Sequence, residues 1–266
     1  MGCITQISEH IHRLTLPYKD IFTTVYTVCT PEGVLLFDAA SFPEDTEERI
    51  LPFLRKIGID PGQIRYIFIS HNHKDHSGSL DALMEAMPQA VVLSRSEKLK
   101  ERLGGKVFSL EDGASVLDVL RVVAIPGHTS DSAGILDTRT DTLISGDSLQ
   151  SYGICGSGEW ASNINFPAEH ICALKKLRNL PIRQLLTAHN YEPYGYRADG
   201  EEQVAAYLDS CLVPLAKIQQ LLLSAPEKAD EELAASFNCD PDKPKIAARV
   251  IAAMRRAMEE NAVELL

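Results

Sequence analysis

Residues 66–76 read YIFISHNHKDH, an apolar run followed at once by a histidine-rich segment. The apolar run predicts a short buried strand. After the segment, Leu80, Leu83 and Met87 recur at the spacing of one helix face, which predicts a helix. The histidine-rich segment therefore belongs to a strand-to-helix loop, a place where rigid neighbours hold functional side chains.

The segment offers four candidate metal ligands, His71, His73, Asp75 and His76. Imidazole and carboxylate are the ligand types that zinc and similar divalent metals prefer. Four such ligands within so short a segment can hardly serve one tetrahedral ion alone, so the spacing predicts two adjacent metals. The alternative is a polar loop that is rich in histidine by chance. It is disfavoured because the whole chain has only 8 histidines among 266 residues.

The composition limits the classes of protein to which the chain can belong. Its 266 residues suffice for one large α/β domain with an appendage, or for two modest domains. A formal net charge of −11 argues against nucleic acid or an anionic membrane as a partner. No run approaches the roughly 20 apolar residues that span a bilayer. Six cysteines without a C-x-x-C pair and a start without a signal-like stretch favour a reduced, cytoplasmic protein.

The order of predicted elements indicates an α/β fold. Runs rich in β-branched and aromatic residues predict strands at 4–7, 11–16, 23–29, 34–37, 90–93, 116–125, 133–136, 142–144 and 182–186. A helix is predicted within 41–57, where Pro52 indicates a kink or a restart, and another begins at Pro167. Beyond residue 198 only helical patterns remain, at 201–223, 228–237 and 243–265.

Three more candidate ligands follow predicted strands: His128, Asp147 and His189. Each of them alone is typical of a turn residue or a hydrogen-bonded side chain. Their joint occurrence with the histidine-rich segment favours a shared metal site. Asp38 ends an earlier strand, and the sequence leaves open whether it forms a turn or supports a metal ligand.

The set H-x-H-x-D-H, then G-H-T, then G-D, then a final histidine resembles the metallo-β-lactamase-fold hydrolase superfamily, over residues from about 4 to 195. The resemblance implies an αββα sandwich of two mixed sheets flanked by helices. It implies a catalytic domain at 1–198 and a helical C-terminal extension at 199–266. It also implies a first metal on His71, His73 and His128, a second on Asp75, His76 and His189, and Asp147 as the bridging carboxylate.

Departures from particular branches narrow the resemblance. β-Lactamases of the commonest class carry a cysteine where Asp147 stands and lack His76. Flavodiiron oxygen reductases carry glutamate where His73 stands. The extra motifs of the nucleic-acid-processing branches are not found. What remains resembles the glyoxalase II and lactonase-like branch, with a helical C-terminus of its own.

The expected activity is that of a dinuclear hydrolase acting on a small molecule with a thioester, lactone or phosphoester bond. Two divalent ions, most simply zinc with iron or manganese as alternatives, share a water and lower its pKa, which gives a bridging hydroxide nucleophile. Asp75 is the candidate that passes a proton to the leaving group. Tyr152 and Tyr191 are candidates for stabilising the oxyanion, although such tyrosines often only pack.

Two other functions stay open at the level of sequence. One is an oxidoreductase resembling persulfide dioxygenases, which holds a single iron through a subset of these ligands. The other is a metal-stabilised binding protein without catalysis. Trp160, in a long loop at 148–167, could cap a substrate or pack in the core. The C-terminal helices could pack on the body of the chain, form a lid or make a homodimer contact.

Overall fold

The computed structural model describes residues 2–19, 21–153, 163–237, 247–263 and 266. The chain divides into two compact units. The first unit comprises Met1–Ala124 and Ala133–Arg139, and the second comprises Ile125–Ser132 and Thr140–Leu266.

The first unit is built around a seven-stranded sheet in which the strands follow one another in chain order. These strands are β1 (Cys3–Gln6), β2 (Ile11–Tyr18), β3 (Ile21–Thr30), β4 (Gly33–Phe37), β5 (Ile64–Ile69), β6 (Val91–Ser94) and β7 (Val107–Phe108). The first four run antiparallel and the last four run parallel, β4 belonging to both runs. The four strands predicted before residue 38 are therefore confirmed.

Four helices lie between the parallel strands of the first unit: α1 (Leu51–Lys56), α2 (Lys74–Ser77), α3 (Leu80–Ala86) and α4 (Glu97–Leu103). A π-helical turn at Thr46–Ile50 precedes α1, so the helix restarts next to Pro52, as the sequence predicted. Leu36, Ile67 and Leu83 belong to one buried cluster that joins sheet and helices. This core fixes the end of β5, where the histidine-rich loop begins.

The first unit also holds β8 (Ser115–Val116), β9 (Leu120–Ala124) and β10 (Ala133–Asp137), which pair antiparallel. The single long strand predicted at 116–125 is wrong. Leu117 and Asp118 have φ of 49° and 57°, and these left-handed residues turn the chain between β8 and β9. An apolar run with only one aspartate gave no sign of that turn.

The second unit contains β11 (Thr142–Ile144), β12 (Gln184–Tyr191) and β13 (Gly195–Asp199). β11 pairs parallel with β12, and β13 pairs antiparallel with β12. In the described part of this unit the helices are α5 (Pro167–Leu177), α6 (Glu201–Ser210), α7 (Val213–Ser224), α8 (Asp230–Phe237) and α9 (Ala248–Glu259). Leu215, Leu233 and Met254 share one buried cluster with Ile171, so α7, α8 and α9 pack together with α5.

Three sequence predictions for the second unit need correction. β12 continues to Tyr191, so His189 lies within a strand and not after one. β13 was not predicted. The helix predicted at 201–223 is divided near Cys211, and Pro214 stands in the first turn of α7. Trp160 and the predicted start of the last helix at Lys243 lie outside the described residues.

The strands form two mixed sheets with flanking helices and a helical C-terminus, so the predicted fold class is confirmed. The predicted domain boundary at 198/199 falls inside the second unit and stays a prediction. Among the described residues, no helix combines the length and apolar character needed to cross a bilayer.

Candidate metal centre

The loop after β5 and the short helix α2 carry the candidate ligands of the first unit, His71, His73, Asp75 and His76, called here the first-unit ligand set. His71 Nε2 lies 3.0 Å from His73 Nδ1, and His76 Nε2 lies 3.4 Å from Asp75 Oδ2. The ring centroids of His71 and His76 are 4.3 Å apart. The four side chains therefore converge, and His71, Asp75 and His76 are buried.

Backbone hydrogen bonds hold this loop against residues 38–41. Ala39 N donates to His76 O over 2.7 Å, and Gly78 N donates to Ala40 O over 2.9 Å. A Cβ on Gly78 would lie only 2.6 Å from the carbonyl carbon of Ser41, so the approach of the two segments requires glycine there. From β3, Thr23 Oγ1 donates to Asp75 O over 2.8 Å. The loop is thus fixed from both sides.

Asp38 orients two members of the first-unit set. Its Oδ2 lies 2.7 Å from His76 Nδ1 and accepts from Ser70 Oγ over 3.0 Å. Ser70 Oγ in turn lies 3.0 Å from His71 Nδ1. Complete burial raises the pKa of the Asp38 carboxyl, while the charge of His76 and the hydrogen bonds from His76 and Ser70 oppose that rise. Of the two roles that the sequence left open, these contacts are those of a support for metal ligands.

The second-unit ligand set is His128, Asp147 and His189, which come from three separate segments. His189 Nε2 lies 3.2 Å from Asp147 Oδ2, and His128 Nε2 lies 3.8 Å from the same oxygen. All three residues are buried. Two imidazoles therefore face one carboxylate oxygen.

Neutral amide and carbonyl groups lie around Nδ1 and the backbone carbonyl of His128. Its Nδ1 lies 2.8 Å from Asn163 O, while its own carbonyl accepts from Asn165 Nδ2 over 2.7 Å. Gln150 Nε2 lies 3.2 Å from His128 Nδ1, but it donates to Asp147 O over 3.0 Å, and Gln150 Oε1 accepts from Asn163 N. His128 Nδ1–H therefore donates to Asn163, and Nε2 carries the lone pair that faces Asp147.

His170, on α5, was missed by the sequence reasoning. It is fully buried beside the loop that carries His128, and a Cβ on Gly127 would lie 2.7 Å from the Cβ of His170. Neither ring nitrogen has a hydrogen-bond partner in the described part of the chain. Burial, with the charge of His128, lowers the pKa of His170 to about 4. The sequence could have indicated its burial, because His170 lies on the same helix face as Leu174 and Leu177.

The chemistry of these side chains fits divalent metals. In His71, His76 and His128 the outer nitrogen, Nδ1, meets a hydroxyl, a carboxylate and a carbonyl respectively. In each ring Nε2 is then left to face the ligand set, which is the arrangement of metal-bound histidines. Imidazole with carboxylate suits zinc, iron and manganese alike, so the donor set fits a metal without choosing one.

The predicted tyrosines occupy two different environments. Tyr152 is 41% exposed and has a φ of 48°. Tyr191 is only 3% exposed, and its ring centroid lies 6.4 Å from that of His189. Arg178, which follows α5, pairs with Asp209 at the surface.

A model of the metallo-beta-lactamase superfamily matches residues 18–205, which is more than half of the chain. The chain belongs to this superfamily. The matched range includes both ligand sets, so the family resemblance that the sequence indicated is confirmed. Within the superfamily, relatives named hydroxyacylglutathione hydrolases agree with the glyoxalase II-like branch.

One relative of this superfamily member, YobT of Bacillus subtilis, is 33% identical over 60% of this chain and 76% of its own length. A hydroxyacylglutathione hydrolase of Nostoc punctiforme is 31% identical, over 53% of this chain. The match covers 56% of that enzyme, so the chain spans little more than half of its length. A metallo-beta-lactamase family protein of Thermus thermophilus superposes with a TM-score of 0.66 at 20% identity, covering 97% of this chain and 96% of that protein. This last likeness shows the fold alone.

Proposed function

We propose that this protein is a dinuclear metal-dependent hydrolase that cleaves a small ester-like bond. Among the candidate substrates thioesters are the first choice, because relatives with 31% and 32% sequence identity are named hydroxyacylglutathione hydrolases. Lactones and phosphoesters follow. The observation that carries the proposal is the pair of ligand sets, buried except for the half-buried His73, in which Nδ1 of three imidazoles is already hydrogen-bonded.

In this proposal the two ligand sets together hold two divalent ions, with zinc as the first choice. His71, His73 and His128 hold one ion, Asp75, His76 and His189 hold the other, and Asp147 is shared. When bound, two such ions supply a water that ionises near neutral pH and an electrophile for the substrate carbonyl or phosphoryl oxygen.

The side chains of the chain itself have three tasks in the proposed reaction. Asp38 and Asn163 keep the imidazoles in the tautomer that binds metal. Asp75 accepts a proton and returns it to the leaving group, because its carboxylate is buried beside the reacting centre and its backbone is fixed by Thr23. Tyr152 and Tyr191 offer hydroxyl donors to a substrate oxygen that gains negative charge.

The test is elemental analysis of protein purified without added metal, paired with hydrolysis of thioester, lactone, phosphodiester and phosphomonoester substrates. About two metals per chain, with turnover of one class, is the expected result. A single iron with no hydrolysis would replace the proposal with the dioxygenase-like function. Bound metal without turnover on any substrate would favour the binding protein. A His12→Gln variant, which changes a histidine outside both ligand sets, is the matched control for metal content.

Three further parts of the proposal concern the setting of the enzyme. We expect a small-molecule substrate rather than a macromolecule, because the net charge of −11 disfavours polyanions. We also propose a cytoplasmic location. A homodimer contact through the C-terminal helices remains a proposal, which size-exclusion chromatography with light scattering would test.

A further inference from the structure

The side chain of Arg249, on helix α9, reaches the surroundings of His128. Arg249 Nη2 donates to Asn163 Oδ1 over 2.7 Å, and Arg249 Nε donates to Asn165 Oδ1 over 3.0 Å. One guanidinium thus binds two asparagine side chains at once. Among the described residues, the hydrogen-bond partners of Arg249 are these two amides.

Both asparagines hold His128. The carbonyl of Asn163 lies 2.8 Å from His128 Nδ1, and Asn165 Nδ2 donates to His128 O over 2.7 Å. In addition, Asn165 N donates to the carbonyl of Gly127 over 2.8 Å. The side chain and the backbone of His128 therefore both depend on residues that Arg249 ties together.

We propose that Arg249 is a positioning residue that sets the orientation and tautomer of the ligand His128. This inference rests on the proposed function, in which His128 binds metal. The C-terminal helices thereby act on the metal centre, a role distinct from lid, packing or dimer contact.

The guanidinium is suited to this task by its shape and charge. It is planar, always protonated and presents its donors in a fixed fork, so it can hold two amide oxygens at a set separation. Donation to Asn165 Oδ1 polarises that amide, which strengthens the hydrogen bond from Asn165 Nδ2 to His128 O. Donation to Asn163 Oδ1 fixes Asn163, whose carbonyl keeps the proton of His128 on Nδ1.

Helix α9 is a firm base for the guanidinium. Val250, Ile251 and Met254 are buried in the cluster shared with α7 and α8. On the same helix, Arg255 binds Asp230 Oδ1 over 2.9 Å and the carbonyls of Pro226 and Lys228. Arg255 therefore fastens α9 to its neighbours without touching the asparagines, which makes it the matched control.

The experiment compares Arg249→Met, Arg249→Lys and Arg255→Met with the unsubstituted protein. Zinc affinity is measured by competition with a chromogenic chelator, and the Co(II)-substituted protein is examined by visible spectroscopy. We expect Arg249→Met to weaken one of the two zinc equivalents about 10-fold and to change the Co(II) spectrum. Arg249→Lys should recover part of both, because one ammonium can still reach one amide. Arg255→Met should lower the melting temperature with an unchanged Co(II) spectrum.

A second readout uses metal-free protein, so that this inference and the proposed function can fail separately. ¹⁵N NMR of the histidine side chains reports which nitrogen of His128 carries the proton. We expect Nδ1–H in the unsubstituted protein and a mixture of tautomers in Arg249→Met. An unchanged tautomer in Arg249→Met, or the same change in Arg255→Met, would overturn the positioning role. If the unsubstituted protein binds no metal, the proposed function fails while the tautomer result still decides the role of Arg249.

Discussion

The first-unit ligand set comes from six consecutive residues, whereas the second-unit set is drawn from three distant segments. Their supports differ as well. Behind His76 and His71 lies a buried carboxylate, Asp38, acting directly and through Ser70. On the Nδ1 and carbonyl side of His128, the described hydrogen-bonding groups are neutral amides and carbonyls of Asn163, Asn165 and Gln150.

This difference indicates which substitutions should affect metal binding by each set. A charged acceptor makes a stronger hydrogen bond than a neutral one and raises the basicity of the imidazole that it binds. The first-unit set should therefore depend mainly on one residue. The second-unit set divides its support among several weaker hydrogen bonds, and it should respond to changes as far away as α9.

The largest effects should come from the ligands themselves. His71→Ala and Asp147→Ala, one from each set, should each lower kcat/KM by at least about 10³-fold, a cost of about 4 kcal/mol. Each substitution removes one of the proposed metal ligands. Steady-state kinetics with metal analysis is the measurement. If a variant keeps more than a few per cent of the activity with metal bound, its ligand set does not belong to the catalytic centre. The comparison of the two sets would then fail.

The pH dependence of stability should single out the second unit. The pKa of His170 is lowered from 6.5 to about 4 in the folded protein, so the unfolded chain takes up the proton first as the pH falls. This stabilisation is complete above pH 6.5 and is lost as the pH falls towards 4. Between pH 7 and pH 4, the free energy of unfolding should therefore fall by about 3 kcal/mol less in His170→Leu than in the unsubstituted protein.

Urea unfolding at both pH values, with chelator present to remove any metal, is the measurement for His170→Leu. Equal losses in the two proteins would mean that His170 is protonated in the folded state. In that case the buried position of His170 beside the second-unit set would not disfavour its protonated form.

The contrast between a charged and a neutral support can be measured directly. Asp38→Asn keeps the shape of the side chain but removes its charge, and it should weaken metal binding about 10- to 100-fold. Asn165→Ala removes one neutral donor, and its effect should fall at or below the lower end of that range. Chelator competition measures both. If Asn165→Ala costs as much as Asp38→Asn, the charge of the support has no special weight.

The smallest effects should come from the tyrosines. Loss of one neutral hydrogen bond costs about 1 kcal/mol, so Tyr152→Phe should lower kcat/KM about 5-fold while the metal content stays the same. Tyr191→Phe should do the same, and since Tyr191 is buried it should also lower the melting temperature. A tyrosine whose substitution leaves kcat/KM unchanged is not a donor to the substrate.

The sequence predicted best what is local. The strand before residue 71 and the helix after it are confirmed, because an apolar run and a repeated helix face are properties of neighbouring residues. The strands before residue 38 were predicted for the same reason. The first-unit ligand set lies within six consecutive residues. The sequence therefore shows this motif without knowledge of the fold.

What the sequence missed depends on contacts between distant residues. β12 continues through His189 because β13 pairs with its end, and nothing in the local composition announces that partner. The hydrogen bonds of Arg249 span 84 and 86 residues along the chain. Asp38 could be a turn residue or a support until its contact with His76 was known. The supports of the ligands are thus harder to predict than the ligands.

The hydrogen bonds between residues 38–41 and the histidine-rich loop bear on protein engineering. Ala39 and Ala40 contribute through their backbone N–H and carbonyl groups, so the chemical identity of their side chains carries no trace of the role. A hexapeptide copied from residues 71–76 into another scaffold would arrive without this second segment, without Asp38 and without the glycine at 78 that lets the segments meet. The unit that would have to be transferred is the pair of segments after β4 and β5, joined by backbone hydrogen bonds. The histidine-rich motif is only one of these two segments.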